Sequence, residues 1–285
     1  MTVLKVNKAS VTYLQGTPFM TKALNGIDFS VEHGEIIGMI GSTGSGKSTL
    51  LQAINGLVEL SDGDISYPEG YDKKRLFKNI GLVFQQPEDQ LFERTVFEDV
   101  AFGPIQLDVS GEQLENQVSK ALEALGLSVE KYGECNPLEL SGGEKRRVAI
   151  AGILSMEPEF LILDEPTAGL DQNGRDLLLN AIKNLQSSRN ITILVVSHDL
   201  DMLAVLCDRI VVLSKGEIVK DAPSLDVLSD SKMLNDAGLR PPDIIVIQNQ
   251  MAGFGVDTGS VILNPATLAR KLVKALKKSK KKQKG

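Results

Sequence analysis

Short apolar runs recur along the first 220 residues, and each ends at a glycine-rich or polar segment. Four of them are continuous enough to predict strands buried inside a sheet. These runs are Glu35–Ile40, Asn79–Phe84, Phe160–Leu163 and Ile191–Val196. Between Val3 and Glu32 apolar and polar residues alternate instead, which predicts antiparallel strands, and Ile210–Leu213 with Glu217–Val219 predicts a hairpin. The pattern indicates an α/β fold.

Helical periodicity fills the gap between the second and third buried runs. It extends from Pro87 to about Lys131, and Gly103-Pro104 predicts a break within it. A further helix is expected after Ser141, whose hydroxyl is a suitable N-cap. Near the end of the chain, Asn264-Pro265 predicts the start of an amphipathic helix with Leu268, Leu272 and Leu276 on one face.

The first buried run leads directly into a complete phosphate-loop motif, G-x-x-x-x-G-K-[ST]. The motif and the residue that follows it are Gly41, Ser42, Thr43, Gly44, Ser45, Gly46, Lys47, Ser48 and Thr49. Its glycines allow successive N–H groups to face an anion at the start of the next helix. Lys47 is expected to reach the β- and γ-phosphates of a nucleotide, Ser48 to bind Mg²⁺, and Thr49 to contact the α-phosphate.

Polar residues stand at the ends of the other buried runs, where α/β proteins place their sites. Gln85 is predicted to hold Mg²⁺ or water, although Gln86 beside it leaves open which of the two does so. Asp164 suits a metal shell, and Glu165 suits the activation of a water molecule.

The aromatic and imidazole side chains add two predicted contacts with a nucleotide. His198 closes the Ile191–Val196 run and is predicted to contact a γ-phosphate, whereas His33 is expected to be a surface residue. Tyr13, at the end of its strand, is expected to stack on an adenine base.

Composition narrows the function further. The net charge is −6, although Arg270–Gly285 is rich in lysine and contains no acid, so the rest of the chain is more acidic than this total suggests. An acidic main part of the chain argues against nucleic acid as a partner. Cys135 and Cys207 are too few and too far apart to predict a metal site or a disulfide framework. No apolar run predicts a transmembrane helix and Met1–Lys5 is no signal peptide, so a cytosolic position is expected.

In this order the motifs resemble those of one family, the nucleotide-binding subunits of ABC transporters, over about residues 3–220. The phosphate loop, Gln85, Leu140–Glu144 (LSGGE), Leu163–Glu165, Ala168–Asp171 and His198 are similar to its Walker A, Q-loop, signature, Walker B, D-loop and switch histidine. The resemblance implies a RecA-like P-loop core with a mostly parallel sheet, an antiparallel β subdomain, a helical subdomain at about 87–145, and a small C-terminal extension at 221–285.

The resemblance also implies a mechanism with two subunits. ATP bound at Lys47 of one subunit is completed by Ser141, Gly142 and Gly143 of another, and Asp171 belongs to the same nucleotide contact. Glu165 is then the general base, Asp164 joins Ser48 around Mg²⁺, and His198 contacts the γ-phosphate. Glu144 departs from the commoner glutamine of the signature, which puts a sugar contact across the interface in doubt.

A narrower resemblance is carried by Tyr13–Phe19, Asn55–Leu57, Gln85–Phe92 and Asp99–Pro104. These stretches resemble the ATPase subunits of energy-coupling factor transporters, which import vitamins or transition-metal ions. Thr17-Pro18-Phe19 is similar to the second of their two ATPase types. The resemblance implies a homologous ATPase, a transmembrane coupling subunit and an interchangeable substrate-binding membrane subunit as partners, at the cytoplasmic face of the cell membrane.

Two other functions fit parts of the same pattern. One is the ATPase of an importer with a separate binding protein, against which only residues 85–104 argue. The other is a soluble ABC ATPase without a transport role, which the single cassette and the acidic body disfavour.

Two charged segments carry weaker expectations. Glu88, Asp89 and Glu93 are expected to form an acidic face that binds basic coupling helices of a membrane subunit, or else only a solvated helix start. The tail Lys277–Lys284 is either solvated or attracted to anionic lipid.

Overall fold

The computed structural model describes residues 2–71, 76–256 and 258–282. Within these ranges, the strands span Thr2–Tyr13 (β1), Thr21–Glu32 (β2), Ile36–Ile40 (β3), Asp62–Ser66 (β4), Ile80–Val83 (β5), Phe160–Asp164 (β6), Thr192–Val196 (β7), Arg209–Ser214 (β8) and Glu217–Pro223 (β9). They form two sheets. The smaller one has three antiparallel strands in the order β2-β1-β4. The larger has six strands in the order β5-β6-β7-β3-β8-β9, all parallel except that β9 is antiparallel to β8. The predicted combination of a mostly parallel sheet with an antiparallel β subdomain is confirmed.

The helices span Lys47–Ile54 (α1), Val96–Gln106 (α2), Gly111–Ala124 (α3), Val129–Tyr132 (α4), Gly142–Leu154 (α5), Gln172–Arg189 (α6), Leu200–Leu206 (α7), Ser224–Leu228 (α8), Ser231–Asp236 (α9), Asp243–Gly253 (α10) and Pro265–Lys282 (α11).

The continuous apolar runs are explained by the two faces of the large sheet. One face packs on α2, α3, α5, α6 and α7, and the other packs on α1 and the small sheet. Every residue of β3, β5 and β7 is buried, because both faces are covered. The parallel arrangement brings the carboxyl ends of β3, β5, β6 and β7 to one edge of the sheet.

The predicted helix break at Gly103-Pro104 is wrong in position, because α2 continues through Pro104 to Gln106. Proline has no N–H to donate to the carbonyl four residues earlier, which is that of Val100. The buried Ser155 hydroxyl donates to this carbonyl instead, with an oxygen–oxygen distance of 2.8 Å. A side chain from α5 therefore compensates for the proline and allows the helix to continue.

The last part of the chain packs on the body in two ways. Val227, Leu228 and Leu234 belong to the same core as the large sheet, while Ile244, Ile245, Ile262 and Leu268 form a small separate core. Asp201 of α7 accepts hydrogen bonds from the N–H groups of Asp243 and Ile244, the first residues of α10. The predicted division at residue 220 stays a prediction. The side chain of Leu276 and those of the tail Lys277–Lys284 lie outside the described residues.

Candidate nucleotide site

A cleft of about 490 Å³ opens at the carboxyl edge of the large sheet. The phosphate loop contributes Thr43, Gly44 and 46–49 to its lining. Tyr13, Gln85, Asp164, Glu165 and His198 complete the predicted set, and 21–23, at the start of β2, form the remaining wall. Segments far apart in the sequence thus meet around one cavity.

The conformation of the phosphate loop is fixed by close packing against the start of β2. Gly46, the residue before α1, has a φ of 105°, and a Cβ there would lie 2.7 Å from the Ala23 carbonyl oxygen. Only glycine fits such a position without strain. Gly41, Ser42 and Ser45 are not among the residues that line the cleft. The Lys47 Nζ donates to the carbonyls of Gly41, at 2.7 Å, and Ser42, at 3.1 Å.

Burial shifts the pKa values of two charged groups in the cleft in directions that disfavour their charged forms. Desolvation lowers the pKa of Lys47, although the nearby carboxylates of Asp164 and Glu165 oppose the change. Desolvation, followed by repulsion from Glu165, raises the pKa of Asp164, against the attraction of Lys47. A ligand that brings anionic phosphates to the lysine and a cation to the carboxylate would replace the lost hydration of both.

The Glu165 carboxylate is held by the segment that follows β7. One oxygen accepts from the Ser197 hydroxyl at 3.1 Å, and the other accepts from the backbone N–H of His198 at 2.9 Å. The His198 Nε2 lies 3.7 Å from the same carboxylate. Glu165 has a φ of 49°, which is uncommon for a residue other than glycine. This backbone conformation and both hydrogen bonds direct the carboxylate into the cleft beside His198.

The two remaining predicted contacts also lie at the cleft. Tyr13 is 39% exposed, and its hydroxyl donates to the Thr49 Oγ1 at 3.4 Å, so its ring stands beside the phosphate loop. Gln85 lines the cleft, whereas Gln86, also exposed, is not among the lining residues. This placement favours Gln85 over Gln86 as the residue that faces a metal ion.

The Ser141 segment lies outside this cleft. Ser141 caps α5, as predicted, and Glu144 completes a capping box in which its carboxylate accepts from the Ser141 N–H at 3.0 Å and from the Ser141 hydroxyl at 2.6 Å. Gly142 and Gly143 form the first turn of α5. Asp171 caps α6 by accepting from the Gly174 N–H at 2.8 Å, and both caps are exposed.

The two caps form one surface. A Cβ on Gly143 would lie 3.5 Å from the Leu170 side chain, which directly precedes Asp171. The structure therefore separates the predicted nucleotide residues into a cleft and a second, exposed surface.

Several residues of the site were not foreseen. Ser197 directly follows β7, so its position at a strand end could have indicated a role. Arg175 of α6 forms an ion pair with Asp199, the N-cap of α7. The buried Arg146 of α5 contacts two other segments, one at Gln85 and one at 166–168. No local pattern signals these arginine contacts.

The expected acidic face is wrong for Glu88, because its carboxylate forms an ion pair with Arg146 at 3.3 Å. The Pro87–Gln90 segment is a single 3-10 turn. Of the three acids, Asp89 remains exposed, while Glu88 and Glu93 are half-buried.

The site has a phosphate loop after β3, two carboxylates at the end of β6 and a histidine after β7, and a glycine-rich helix terminus lies outside the cleft. Together these features define a P-loop ATPase of the ATP-binding-cassette class. The sequence model described as ABC transporter matches residues 24–168. The chain belongs to this family. Within the described ranges, no helix has both the length and the hydropathy needed to cross a membrane.

Comparison with individual relatives narrows the assignment within the ABC transporter family. The chain is 41% identical to the energy-coupling factor transporter ATP-binding protein EcfA2 of Clostridium tetani over 95% of this chain and 96% of that one. It is 45% identical to the protein of the same name in Caldanaerobacter subterraneus subsp. tengcongensis, over 89% and 90%. The resemblance to the second ATPase type of energy-coupling factor transporters is thus confirmed.

Solved structures agree with this assignment. CbiO1 from Clostridium perfringens, part of the ABC transporter complex cbiONQ, superposes with a TM-score of 0.73 at 35% identity, covering 87% of this chain and 99% of that one. The ATP-binding cassette MJ0796, in a dimeric state bound to ADP and Pi, gives 0.68 at 29% identity, covering 78% and 99%. The fold predicted from the sequence is confirmed.

Proposed function

We propose that this chain is one of two ATPase subunits that power import through an energy-coupling factor transporter, bound peripherally at the cytoplasmic face of the cell membrane. The observation that carries the proposal is the division of the site. Lys47, Asp164, Glu165 and His198 converge on one cleft, while the Ser141 terminus is exposed elsewhere. A nucleotide in the cleft can meet a signature terminus only from another subunit.

ATP binding uses groups that already face the cleft. The N–H groups of the phosphate loop and the positive end of α1 favour the phosphates, and Lys47 exchanges its carbonyl partners for phosphate oxygens. Tyr13 offers its ring to the base. Ser48, Gln85 and Asp164 present hydroxyl, amide and carboxylate oxygens, which are the ligands Mg²⁺ prefers, and the ion would neutralise phosphate charge.

Hydrolysis requires a base beside the γ-phosphate. Glu165 fits this role, because two hydrogen bonds hold its carboxylate at the cleft and it can accept a proton from an attacking water. His198, 3.7 Å from that carboxylate, is positioned to hold the water and the γ-phosphate. The Ser141 terminus of the second subunit then adds N–H groups to the phosphates from the opposite side.

The first experiment replaces the base. Glu165→Gln keeps the size of the side chain but removes its ability to accept a proton, so ATP should still bind, turnover should be abolished and ATP-dependent dimers should accumulate. The matched control is Glu159→Gln, directly before β6 and at the opposite end of the strand from Glu165, which should hydrolyse ATP at the parent rate. ATP hydrolysis by the Glu165 variant at close to the parent rate would exclude Glu165 as the base.

The second experiment addresses the division between subunits. Ser141→Arg should leave ATP binding in the chain's own cleft intact and silence the site on its partner. Full activity of the unaltered chain at dilutions where it is demonstrably monomeric would contradict a site shared between subunits.

A groove formed in part by Gln90, Leu91 and Phe92, a few residues after Gln85, is the surface proposed for the membrane subunit. Its cavity of about 420 Å³ is lined largely by apolar side chains of the 77–106 segment, of α5 and of the turn that follows α5, including Phe92, Phe102 and Met156. Phe92 and Phe102 are exposed and pack edge to face with ring centroids 5.0 Å apart. The exposed Asp89 and the half-buried Asp99 give the groove acidic neighbours. An amphipathic basic helix of a transmembrane coupling subunit fits this combination.

The groove can be tested without touching the cleft. Phe92→Asp or Asp89→Lys should leave ATP binding unchanged and reduce recovery of the membrane subunit in a pull-down at physiological salt. Phe254→Asp alters a phenylalanine on the C-terminal part of the chain that is even more exposed than Phe92, and it should have no effect. Undiminished recovery with either groove variant would exclude this surface.

Substrate selection belongs to another subunit under this proposal. An interchangeable substrate-binding membrane subunit would choose the vitamin or transition-metal ion, and this chain would supply only the energy of ATP hydrolysis. Co-purification of the chain with its membrane partners, followed by uptake assays with each class of cargo, would identify the substrate.

A further inference from the structure

The Arg146 side chain, in the second turn of α5, is only 4% exposed. Its Nε donates to the Glu88 carboxylate at 3.3 Å, and one terminal nitrogen donates to the Gln85 carbonyl at 2.8 Å. The other terminal nitrogen donates to the carbonyls of Pro166, at 3.4 Å, and Ala168. A single buried guanidinium therefore connects three segments of the chain.

Each of these segments carries a residue of the nucleotide site. Gln85 lines the ATP cleft, and the turn 166–168 directly follows Glu165, whose carbonyl accepts from the Ala168 N–H at 3.2 Å. The same turn leads to Asp171, and α5 begins at the Ser141 cap. Arg146 does not itself line the cleft. Its contacts join the residues that face the chain's own ATP to those that face the partner's.

A role in core packing alone does not account for this arrangement. If Arg146 served only to pair with Glu88 in the core, the Glu88 carboxylate would be its only required acceptor. Apolar side chains can often replace such a buried pair without loss of stability. Here three acceptors are backbone carbonyls of irregular segments, which no sheet or helix ladder satisfies. A planar guanidinium with five N–H donors can bond to all of these carbonyls at once. A lysine ammonium cannot reproduce this planar arrangement of donors.

We propose that Arg146 is a positioning residue for ATP hydrolysis between subunits. It holds α5, the Gln85 segment and the turn after Glu165 as one unit, so that a movement of Gln85 or Glu165 on ATP binding also moves Ser141 and Asp171. The proposal rests on the function proposed above. It goes further in naming the side chain that makes the two halves of the site move together.

The test is Arg146→Lys in the full chain with its partner ATPase. ATP affinity of the single subunit should stay within about twofold of the parent, because the cleft is intact. The kcat should fall about tenfold or more, since a small misplacement of a base can cost up to about 10²-fold. In a Glu165→Gln background, half-maximal dimerisation should need correspondingly more ATP.

The matched control is Arg209→Lys. Arg209 also serves several acceptors, namely Glu35, Asp221 and the Ser30 carbonyl, but it lies on β8 away from the cleft. It should lower the melting temperature by a similar amount and leave kcat and KM unchanged. A kcat loss of the same size in both variants would show that Arg146 acts only through stability and would overturn the proposal.

Further outcomes separate this proposal from the underlying function. If Glu165→Gln alone traps an ATP dimer while Arg146→Lys keeps the parent kcat, the positioning role fails and the proposed function stands. If Glu165→Gln alone traps no dimer, the proposed function fails first. Should Arg146→Lys not fold, Glu88→Gln perturbs the same guanidinium more gently, and parent kcat in that variant would equally overturn the positioning role.

Discussion

Replacing the signature glutamate by the commoner glutamine should have opposite effects on folding and on assembly. The Glu144 carboxylate accepts from the Ser141 N–H, from the Ser141 hydroxyl and, at 2.9 Å, from the Tyr132 hydroxyl. These bonds, that from the Ser141 hydroxyl foremost, lower the pKa of Glu144. Glu144→Gln preserves the shape of the capping box but removes the charge on which its strength depends.

The loss of stability can be worked from these contacts. A hydrogen bond to a charged group contributes about 1.5–3 kcal/mol and a neutral one about 0.5–1.5. Favourable placement of an acid at a helix N-terminus contributes a further ~0.3–1 kcal/mol. Because Glu144 is half-exposed and solvent screens its charge, we expect only about 1–2 kcal/mol of the unfolding free energy to be lost at neutral pH. Urea unfolding would measure this loss.

The difference should depend on pH. A carboxyl whose pKa is lowered by folding stabilises the protein above its unfolded pKa of about 4.3, and this contribution is lost as the pH falls through the folded value. The parent and Glu144→Gln should therefore show their full difference at pH 7 and converge as the pH falls from the unfolded pKa through the lowered folded pKa of Glu144. Glu139→Gln removes an exposed acid just before the same helix and should show no such difference.

ATP-dependent dimerisation should need less ATP in the Glu144→Gln variant than in the parent. Glu144 places negative charge at the helix terminus that is proposed to meet the partner's triphosphate, and it also engages the Ser141 hydroxyl. Removing a charge with an effect of ~0.3–1 kcal/mol should lower the ATP concentration for half-maximal dimerisation about two- to fivefold. Equal stability at pH 7 would refute the capping argument, and a higher ATP requirement would refute the electrostatic one.

Three further predictions concern the core and the cleft. Ser155→Ala should lower the unfolding free energy by about 1–3 kcal/mol, measured by urea unfolding, because the Val100 carbonyl loses its buried donor. Burial raises the pKa of the Cys207 thiol, whereas Cys135 is partly exposed. An alkylating reagent at pH 8 should therefore modify Cys135 first and Cys207 only when the protein unfolds. Rapid labelling of Cys207 in the native protein would contradict the packing of α7. Lys47→Ala should weaken binding of ATP far more than of adenosine in calorimetry, and equal losses would contradict the phosphate assignment.

The residues of the cleft could be predicted from the sequence because their signals are local. A buried run followed by a glycine-rich loop or a polar residue marks the carboxyl end of a parallel strand, and such ends meet at one edge of a sheet. Lys47, Gln85, Asp164, Glu165 and His198 are all predictable in this way. The Ser141 cap was also predicted, and the spacing Ser-x-x-Glu could have revealed the role of Glu144.

The connections between these segments were decided only by the tertiary structure. Arg146 lies 61 residues from Gln85 and 22 from Ala168, and the sequence between them does not determine which carbonyls face its guanidinium. The same holds for the Ser155 hydroxyl, which meets Val100 from 55 residues away and allows α2 to continue through a proline. Such contacts depend on how helices pack on the sheet, and packing is a property of the whole chain, whereas strand ends, caps and loops follow from a few neighbouring residues.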